Sequence, residues 1–193
     1  MRVMRSVGAK LATENRRCRA SYPTSGFTLL ELMVVAVIVS ILFVVAISKL
    51  MILQVDAERV TMETIAGNLR SAIGIKVAES VARQNLRALA SLEGSNPMDR
   101  LAETPANYLG ELDDPEVKTL EDGNWYFDKH SRTLVYLVRN GGFFEGGLSD
   151  PPRARFAIQL VYTDRNGNGR YDADIDTVEG LRLAKLEPYR WSK

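Results

Sequence analysis

The feature that most constrains this chain is an apolar run near its N-terminus. Residues 27–47 contain one charge, Glu31, and residues 32–48 contain none. A helix needs about 20 apolar residues to cross the hydrocarbon core of a bilayer. A buried core helix would carry polar residues at helical spacing, and a removed secretory signal would have only about 7–15 apolar residues before a small-residue cleavage site. This run instead meets Lys49 and continues to residue 53. The sequence therefore predicts one membrane-spanning helix.

The flanking charges predict the orientation of that helix. Six basic residues and one acid precede residue 27, whereas only Lys49 and Arg59 closely follow the run. Because basic flanks stay cytoplasmic, we expect a cytoplasmic N-terminus in the inner membrane and a periplasmic C-terminal part. Residues 27–193 hold 19 basic and 23 acidic residues, a net charge of about −4, which gives no general reason to expect nucleic-acid binding. Cys18, the only cysteine, lies in the basic segment.

A short motif connects the basic segment to the apolar run. Residues 26–35 read Gly-Phe-Thr-Leu-Leu-Glu-Leu-Met-Val-Val, which resembles the prepilin signature of type IV pilins and of the pseudopilins of type II secretion. The resemblance covers about 25 residues. It implies that a prepilin peptidase cuts between Gly26 and Phe27 and that Phe27 is then N-methylated. An acidic side chain such as Glu31 is energetically costly near a membrane. The resemblance implies that Glu31 neutralises the terminal amine of a neighbouring subunit during assembly.

The resemblance implies a division of the chain into three parts. Residues 1–26 are a cleaved leader, residues 27–53 the transmembrane half of a spine helix, and residues 54–193 a periplasmic pilin-like head. The implied partners are other pilin or pseudopilin subunits in a filament, the prepilin peptidase and an inner-membrane assembly platform.

The helical pattern continues past the membrane segment. Residues 56–92 contain no proline, and apolar residues recur at near-helical spacing, which predicts a helix to about residue 92. The predicted buried stripe is Ile65, Leu69, Ile73, Val77 and Val81. Glu58 is expected to face solvent or a neighbour, and Gly67 and Gly74 mark either bends or close packing. Residues 94–123 are predicted to form an irregular connection.

Strand signals begin near residue 124. Segments rich in β-branched and aromatic residues predict strands at 125–127, 133–138, 154–163 and 178–186, the first two joined as a hairpin. Residues 140–152 are predicted to form a loop. The predicted fold class is α+β: a long N-terminal helix, transmembrane in its first half, packed on an antiparallel C-terminal β-sheet in a pilin-like arrangement.

One loop suggests metal chemistry. Side chains that carry oxygen alternate in residues 164–172, with a glycine before the last acid, as in the first nine positions of an EF-hand-like calcium loop. The candidate ligands are Asp164, Asn166, Asn168, Arg170 through its carbonyl, Asp172, Asp174 and Asp176. The twelfth position is Ile175 rather than an acid. A glycine-rich hairpin tip, with Asn-Gly pairs at positive φ, explains the same residues. Both interpretations stay open.

Other candidate sites are weaker. His130 is the only histidine and lies in a predicted turn, without the partners that catalysis or metal binding requires. No catalytic motif is present in the sequence, so an enzyme is not expected. The basic and aromatic residues of segment 182–193 are expected to form a solvated end rather than a nucleic-acid-binding surface. The sequence predicts a structural subunit, a minor pilin or pseudopilin; the alternative is a filament-tip module that contacts DNA or a secreted substrate.

Overall fold

The computed structural model describes residues 26–192. The predicted leader therefore lies outside the described residues except for Gly26, and so do most of the charges on which the predicted orientation rests. The described chain separates into two compact units, one that ends at Val44 and one that begins at Val45. The predicted boundary between residues 53 and 54 remains a prediction.

A single helix, α1 (Leu29–Ala82), occupies 54 residues. Thr28 caps its start, because the Thr28 hydroxyl accepts a hydrogen bond from the Glu31 backbone N–H at 3.2 Å. Thr-x-x-Glu is the spacing of a capping box, and this bond satisfies one of the backbone donors left free in the first turn of a helix. The predicted long N-terminal helix is confirmed.

The end of α1 differs from the prediction, since the helix stops at Ala82 rather than near residue 92. Gln84 takes a left-handed conformation with φ 52°, and the N–H groups of Gln84 and Asn85 bond to carbonyls of the last turn. This geometry closes a helix at its C-terminus. A left-handed glutamine is uncommon, so the local sequence does not reveal the stop.

A 3₁₀ helix, Leu86–Leu92, follows this stop. It places the buried side chain of Leu89 against Leu160 and Val178 of the sheet, in a small apolar cluster beside the main core. Three further 3₁₀ turns cover Pro97–Arg100, Val117–Thr119 and Gly141–Phe143.

Seven strands follow along the chain. They are β1 (Tyr108–Leu112), β2 (Trp125–Asp128), β3 (Thr133–Leu137), β4 (Phe144–Gly146), β5 (Arg153–Thr163), β6 (Thr177–Lys185) and β7 (Tyr189–Trp191). Five of them form one sheet in the order β1-β2-β3-β5-β6, and β4 pairs with β7. All pairs are antiparallel except β1 with β2, which is parallel. The predicted α+β class is confirmed, with a mixed rather than purely antiparallel sheet.

Three strands lie where the sequence predicted irregular structure. β1 lies within the predicted irregular connection and adds a parallel edge to the sheet. β4 lies within the predicted loop of residues 140–152, where it pairs with β7. β7 lies in the segment predicted to be a solvated end, and that prediction was wrong because the Tyr189 and Trp191 rings lie 5.3 and 5.1 Å from the Phe144 ring. All three strands are short and pair with distant segments, so local pattern does not reveal them.

The second half of α1 packs on this sheet. Its buried positions recur at intervals of three, four or seven residues, as expected for one helix face. They are Val55, Met62, Ala66, Leu69, Ile73 and Ser80. Of the predicted stripe, Leu69 and Ile73 are buried, but Val81 is 54% exposed. The main core forms where this face meets Trp125, which has no exposed surface and lies 4.9 Å from the Tyr136 ring.

The sequence predicts that Glu58 faces solvent or a neighbour, but this residue is half-buried and fixes α1 to the end of β3 of its own chain. Its carboxylate accepts hydrogen bonds from the Tyr136 hydroxyl at 2.9 Å, from the Arg139 N–H at 2.6 Å, and from the N–H and side-chain amide of Asn140 at 2.9 and 2.6 Å. Burial, followed by the Glu58 charge, raises the pKa of Tyr136 above its usual value. The hydroxyl therefore stays protonated and donates.

We predict that Glu58→Ala lowers the free energy of unfolding of the head by about 2–3 kcal/mol, because four donors lose one charged acceptor. The matched control is Glu79→Ala on the same helix, which removes an exposed pair with Lys76 and should cost less than about 0.5 kcal/mol. Thermal unfolding of the full chain in detergent, followed by near-ultraviolet circular dichroism, measures both. Equal losses of unfolding free energy in the two variants would contradict the conclusion that Glu58 fixes α1 to the end of β3.

Candidate functional site

The first part of α1 presents apolar side chains outward on every side. All residues from Gly26 to Gln54 are exposed, and Phe27 retains 76% of its accessible surface. By length and composition α1 is the helix among residues 26–192 that could cross a membrane. Such a surface is unstable in water, since burying each large aliphatic side chain is worth about 1.5–3 kcal/mol.

The predicted processing and assembly residues lie together at the start of this helix. Gly26 and Phe27 precede it in extended, exposed chain, and Glu31 lies exposed in its first turn. Thr28 joins the two parts through its bond to the Glu31 N–H. The structure thus places an exposed Gly-Phe bond one helical turn from an exposed carboxylate.

The predicted calcium loop is the connection between β5 and β6, which are antiparallel neighbours. Gly167 and Gly169 have φ values of 71° and 73°, a conformation that favours glycine. The expected hairpin-tip geometry is therefore present. Calcium binding is a separate matter that depends on where the side-chain oxygens lie.

Asp164 organises the first half of this loop. Its carboxylate accepts hydrogen bonds from the backbone N–H of Gly169 at 2.7 Å, of Gly167 at 2.7 Å and of Asn166 at 3.2 Å. These bonds, led by that from Gly169, hold the pKa of Asp164 below its usual value. The stability they supply is present above the unfolded pKa of about 4 and is lost as the pH falls through the lower, folded pKa.

Asp172 gathers the two asparagine side chains of the loop. The amide nitrogens of Asn166 and Asn168 both donate to the same Asp172 carboxylate oxygen at 2.7 Å. Alternate positions of the loop therefore do converge, as the spacing predicted. Arg170 takes part through its backbone N–H, which donates to the Asn168 side-chain oxygen at 2.7 Å.

Asp176 closes the loop at its base. Only 4% of its surface is exposed, and its carboxylate accepts from the Arg165 N–H at 3.0 Å and the Asp172 N–H at 2.7 Å. Because a buried carboxylate requires donors, these two bonds fix both ends of the loop around it. Asp176 is one of the predicted ligands, but its burial could not be read from the loop spacing.

Not every predicted ligand joins this network. Asp174 and Ile175 are both exposed, and Asp174 takes no part in the hydrogen bonds described above. Within residues 26–192, no group of three or more His, Cys, Asp and Glu side chains is placed to hold a metal ion. Calcium, if bound, must be coordinated partly by asparagine and carbonyl oxygens. His130 is exposed in the β2–β3 turn, where its N–H donates to Asp128.

The sequence pattern did not identify the uncovered face of α1 in the second unit. This face carries mostly small residues spaced by four and three, the spacing of a helix-packing seam. Its members are Leu53, Ala57, Val60, Thr64, Gly67, Ser71, Gly74, Ala78 and Val81. A Cβ atom added at Gly67 or Gly74 would meet nothing within 4 Å, so packing among residues 26–192 requires neither glycine. The spacing of Gly67 and Gly74 is the sequence feature from which this uncovered face could have been found.

Comparison with known proteins identifies the N-terminal motif. Residues 23–47 match the family model described as the prokaryotic N-terminal methylation motif. No curated protein and no solved structure matches the chain. The matched residues contain the Gly-Phe bond, Glu31 and most of the exposed apolar run. The chain therefore carries the signal motif of type IV pilins and pseudopilins.

Proposed function

We propose that this chain is a structural subunit, a minor pilin or pseudopilin, of a type IV pilus or a type II secretion pseudopilus. A prepilin peptidase removes residues 1–26, Phe27 is methylated, and the subunit stays in the inner membrane until the assembly platform moves it into a filament. The observation that carries this proposal is the methylation motif at residues 23–47, set on a helix whose apolar residues are uncovered.

The uncovered helix explains why processing and assembly go together. In the membrane, lipid covers residues 27–47, which are long enough to cross with the N-terminus cytoplasmic and the head periplasmic. In a filament, the helices of neighbouring subunits take the place of lipid. Either state removes the same apolar surface from water, so transfer between them costs little hydrophobic free energy.

Glu31 supplies selectivity for assembly. A carboxylate surrounded by apolar helices requires a cationic partner. Cleavage before Phe27 creates an α-amino group, and in a neighbouring subunit this group is the cation that the family resemblance assigns to Glu31. An uncleaved subunit has no amine at that position, which couples peptidase action to incorporation.

The small-residue face of α1 supports close packing beyond the membrane segment. Gly67 and Gly74 each cost the helix about 1 kcal/mol relative to alanine. No contact in the described part of the chain requires them, whereas small residues allow two helices to approach closely. Val60, near the start of this face, is therefore proposed to contact a neighbouring subunit.

We propose no catalytic or nucleic-acid-binding role. The aromatic side chains of the C-terminal segment pack on Phe144, and Arg190 pairs with Glu145. Tyr189 and Trp191 are therefore partly buried, which disfavours stacking on bases, whereas the Arg190 side chain stays 76% exposed.

We also propose that the β5–β6 loop binds calcium. The support is the convergence of Asn166 and Asn168 on Asp172, which brings alternate oxygen-bearing side chains to one side of the loop. In the bound form the amides would turn their oxygens toward the ion. The structural consequence would be a more rigid hairpin end in a mature chain that has no disulfide.

We predict that calcium raises the melting temperature of the full chain. At a calcium concentration 100 times the dissociation constant, binding should add about 2.7 kcal/mol to the free energy of unfolding. Asp172→Asn should weaken this effect strongly. Asp174→Asn, which lies outside the network, is the matched control and should leave it unchanged. Thermal unfolding in detergent with calcium, magnesium or chelator measures the effect. A concentration of about 10 mM calcium exceeds the dissociation constants of the weakest calcium-binding loops. An unchanged melting temperature at that concentration would contradict the proposal.

The assembly role is tested by cross-linking through a single cysteine. The mature chain has no thiol once Cys18 is removed with the leader, so Val60→Cys introduces the only one. We predict that Val60→Cys cross-links to other filament subunits in cells that express the assembly system. Glu31→Gln should reduce the yield about ten-fold or more, whereas Glu79→Gln should not change it.

The position control is Lys129→Cys, an exposed site in the β2–β3 turn away from α1. It should give much less adduct than Val60→Cys. Equal adducts at both positions, or a yield that is insensitive to Glu31→Gln, would contradict assembly through α1.

A further inference from the structure

The β5–β6 loop contains two asparagine–glycine pairs, Asn166-Gly167 and Asn168-Gly169, and all four residues are exposed to solvent. In such a pair the glycine nitrogen can attack the side-chain carbonyl carbon of the asparagine. Glycine has no Cβ atom, so its nitrogen is less hindered than the nitrogen of other residues. Each pair therefore carries the groups that convert an asparagine into an aspartate.

This conversion needs no reagent other than water. The glycine N–H loses its proton and its nitrogen bonds to the asparagine side-chain carbon. The bond from that carbon to the amide nitrogen breaks, and ammonia leaves with the proton. Water then opens the resulting cyclic imide and yields aspartate or its isomer isoaspartate. Each site gains a carboxylate in place of a neutral amide, and no atom is oxidised or reduced.

One carboxylate holds both attacking nitrogens. The Asp164 oxygens accept hydrogen bonds from the N–H groups of Gly167 and Gly169, each at 2.7 Å. Either nitrogen must lose its proton to react, and a neighbouring negative charge opposes the formation of a second one. These bonds, led by that from Gly169, lower the pKa of Asp164, so this carboxylate is a poor base for removing the proton. Asp164 therefore disfavours the first step at both pairs.

A second carboxylate holds the two groups that would be attacked. The side-chain nitrogens of Asn166 and Asn168 donate to the same Asp172 oxygen at 2.7 Å. The Asn166 side-chain oxygen accepts from the Asn168 N–H at 3.0 Å, and the Asn168 side-chain oxygen accepts from the Arg170 N–H at 2.7 Å. Each carboxamide is thus fixed at both ends. It must break these bonds to turn its carbon toward the glycine nitrogen.

We propose that Asn166 and Asn168 are latent deamidation sites that Asp164 and Asp172 keep unreactive in the folded chain. A carboxylate oxygen in place of either amide nitrogen would face Asp172 with no proton to donate, so conversion would loosen the end of the hairpin. This inference goes beyond filament assembly and depends neither on membrane insertion nor on calcium. Its failure would leave the assembly and calcium proposals untouched, and their failure would leave this one untouched.

The test measures conversion at each asparagine in the full mature chain, incubated in detergent and mildly alkaline buffer with a chelator. Proteolysis and mass spectrometry of the loop peptides give the converted fraction, and the same chain in denaturant gives the rate without the fold. We expect conversion at both sites to be at least about ten-fold slower in the folded chain, the effect of one pKa unit on the ionisation of the glycine nitrogen.

Asp164→Asn is the diagnostic variant because it removes the charge and keeps the size of the side chain. It should remove most of the protection at both sites, whereas its rate in denaturant should equal that of the wild type. The matched control is Asp174→Asn, which removes an exposed acid of the same loop and should keep full protection. Asp172→Asn tests the hold on the carboxamides independently and should also raise both rates. Circular dichroism verifies that the sheet stays folded in each variant.

Two results would overturn the proposal. One is conversion of both asparagines in the folded wild-type chain at the rate seen in denaturant. The other is a folded Asp164→Asn chain that converts no faster than the wild type. A slower reaction in that variant would show that Asp164 acts as a base that promotes the conversion, which is the opposite of the protection proposed.

Discussion

The structure depends on one constraint: among residues 26–192, the apolar side chains in the first half of α1 remain exposed. Large aliphatic and aromatic residues are exposed almost continuously from Phe27 to Leu53. At about 1.5–3 kcal/mol for each large side chain, this surface cannot remain in water. Lipid and neighbouring helices are the two surroundings that can cover a helix on all sides, and a helix that already satisfies its own backbone groups suits both. On the proposed function, the same segment therefore serves as both the membrane anchor and the assembly element.

The second half of the same helix is built differently. One face is buried against the sheet through residues such as Met62 and Leu69. Glu58 lies one turn beyond the apolar run and bonds the end of β3. It joins the helix to the head near the point where the exposed surface changes from apolar to mixed. The opposite face keeps small residues that the head itself does not use, which leaves room for another helix.

The parts of this arrangement that the sequence predicted are those set by local pattern. The apolar run, the processing motif and four strands follow from composition and spacing over a few residues. Local pattern cannot show β1 and β7, since each is defined by a partner distant in the chain. The end of α1 depends on a left-handed glutamine that propensity does not indicate. Glu58 was predictable in part, because its spacing from Val55 and Met62 places it beside the buried face.

The central claim is that exposure of a new N-terminus at Phe27 turns a membrane-anchored precursor into a subunit. Intact-mass analysis of the chain recovered from assembled filaments tests this most directly. The account predicts a chain that has lost residues 1–26 and carries one added methyl group on Phe27, and it predicts a full-length chain confined to the membrane in cells without the peptidase. A chain that still carries Met1 within assembled filaments would contradict it.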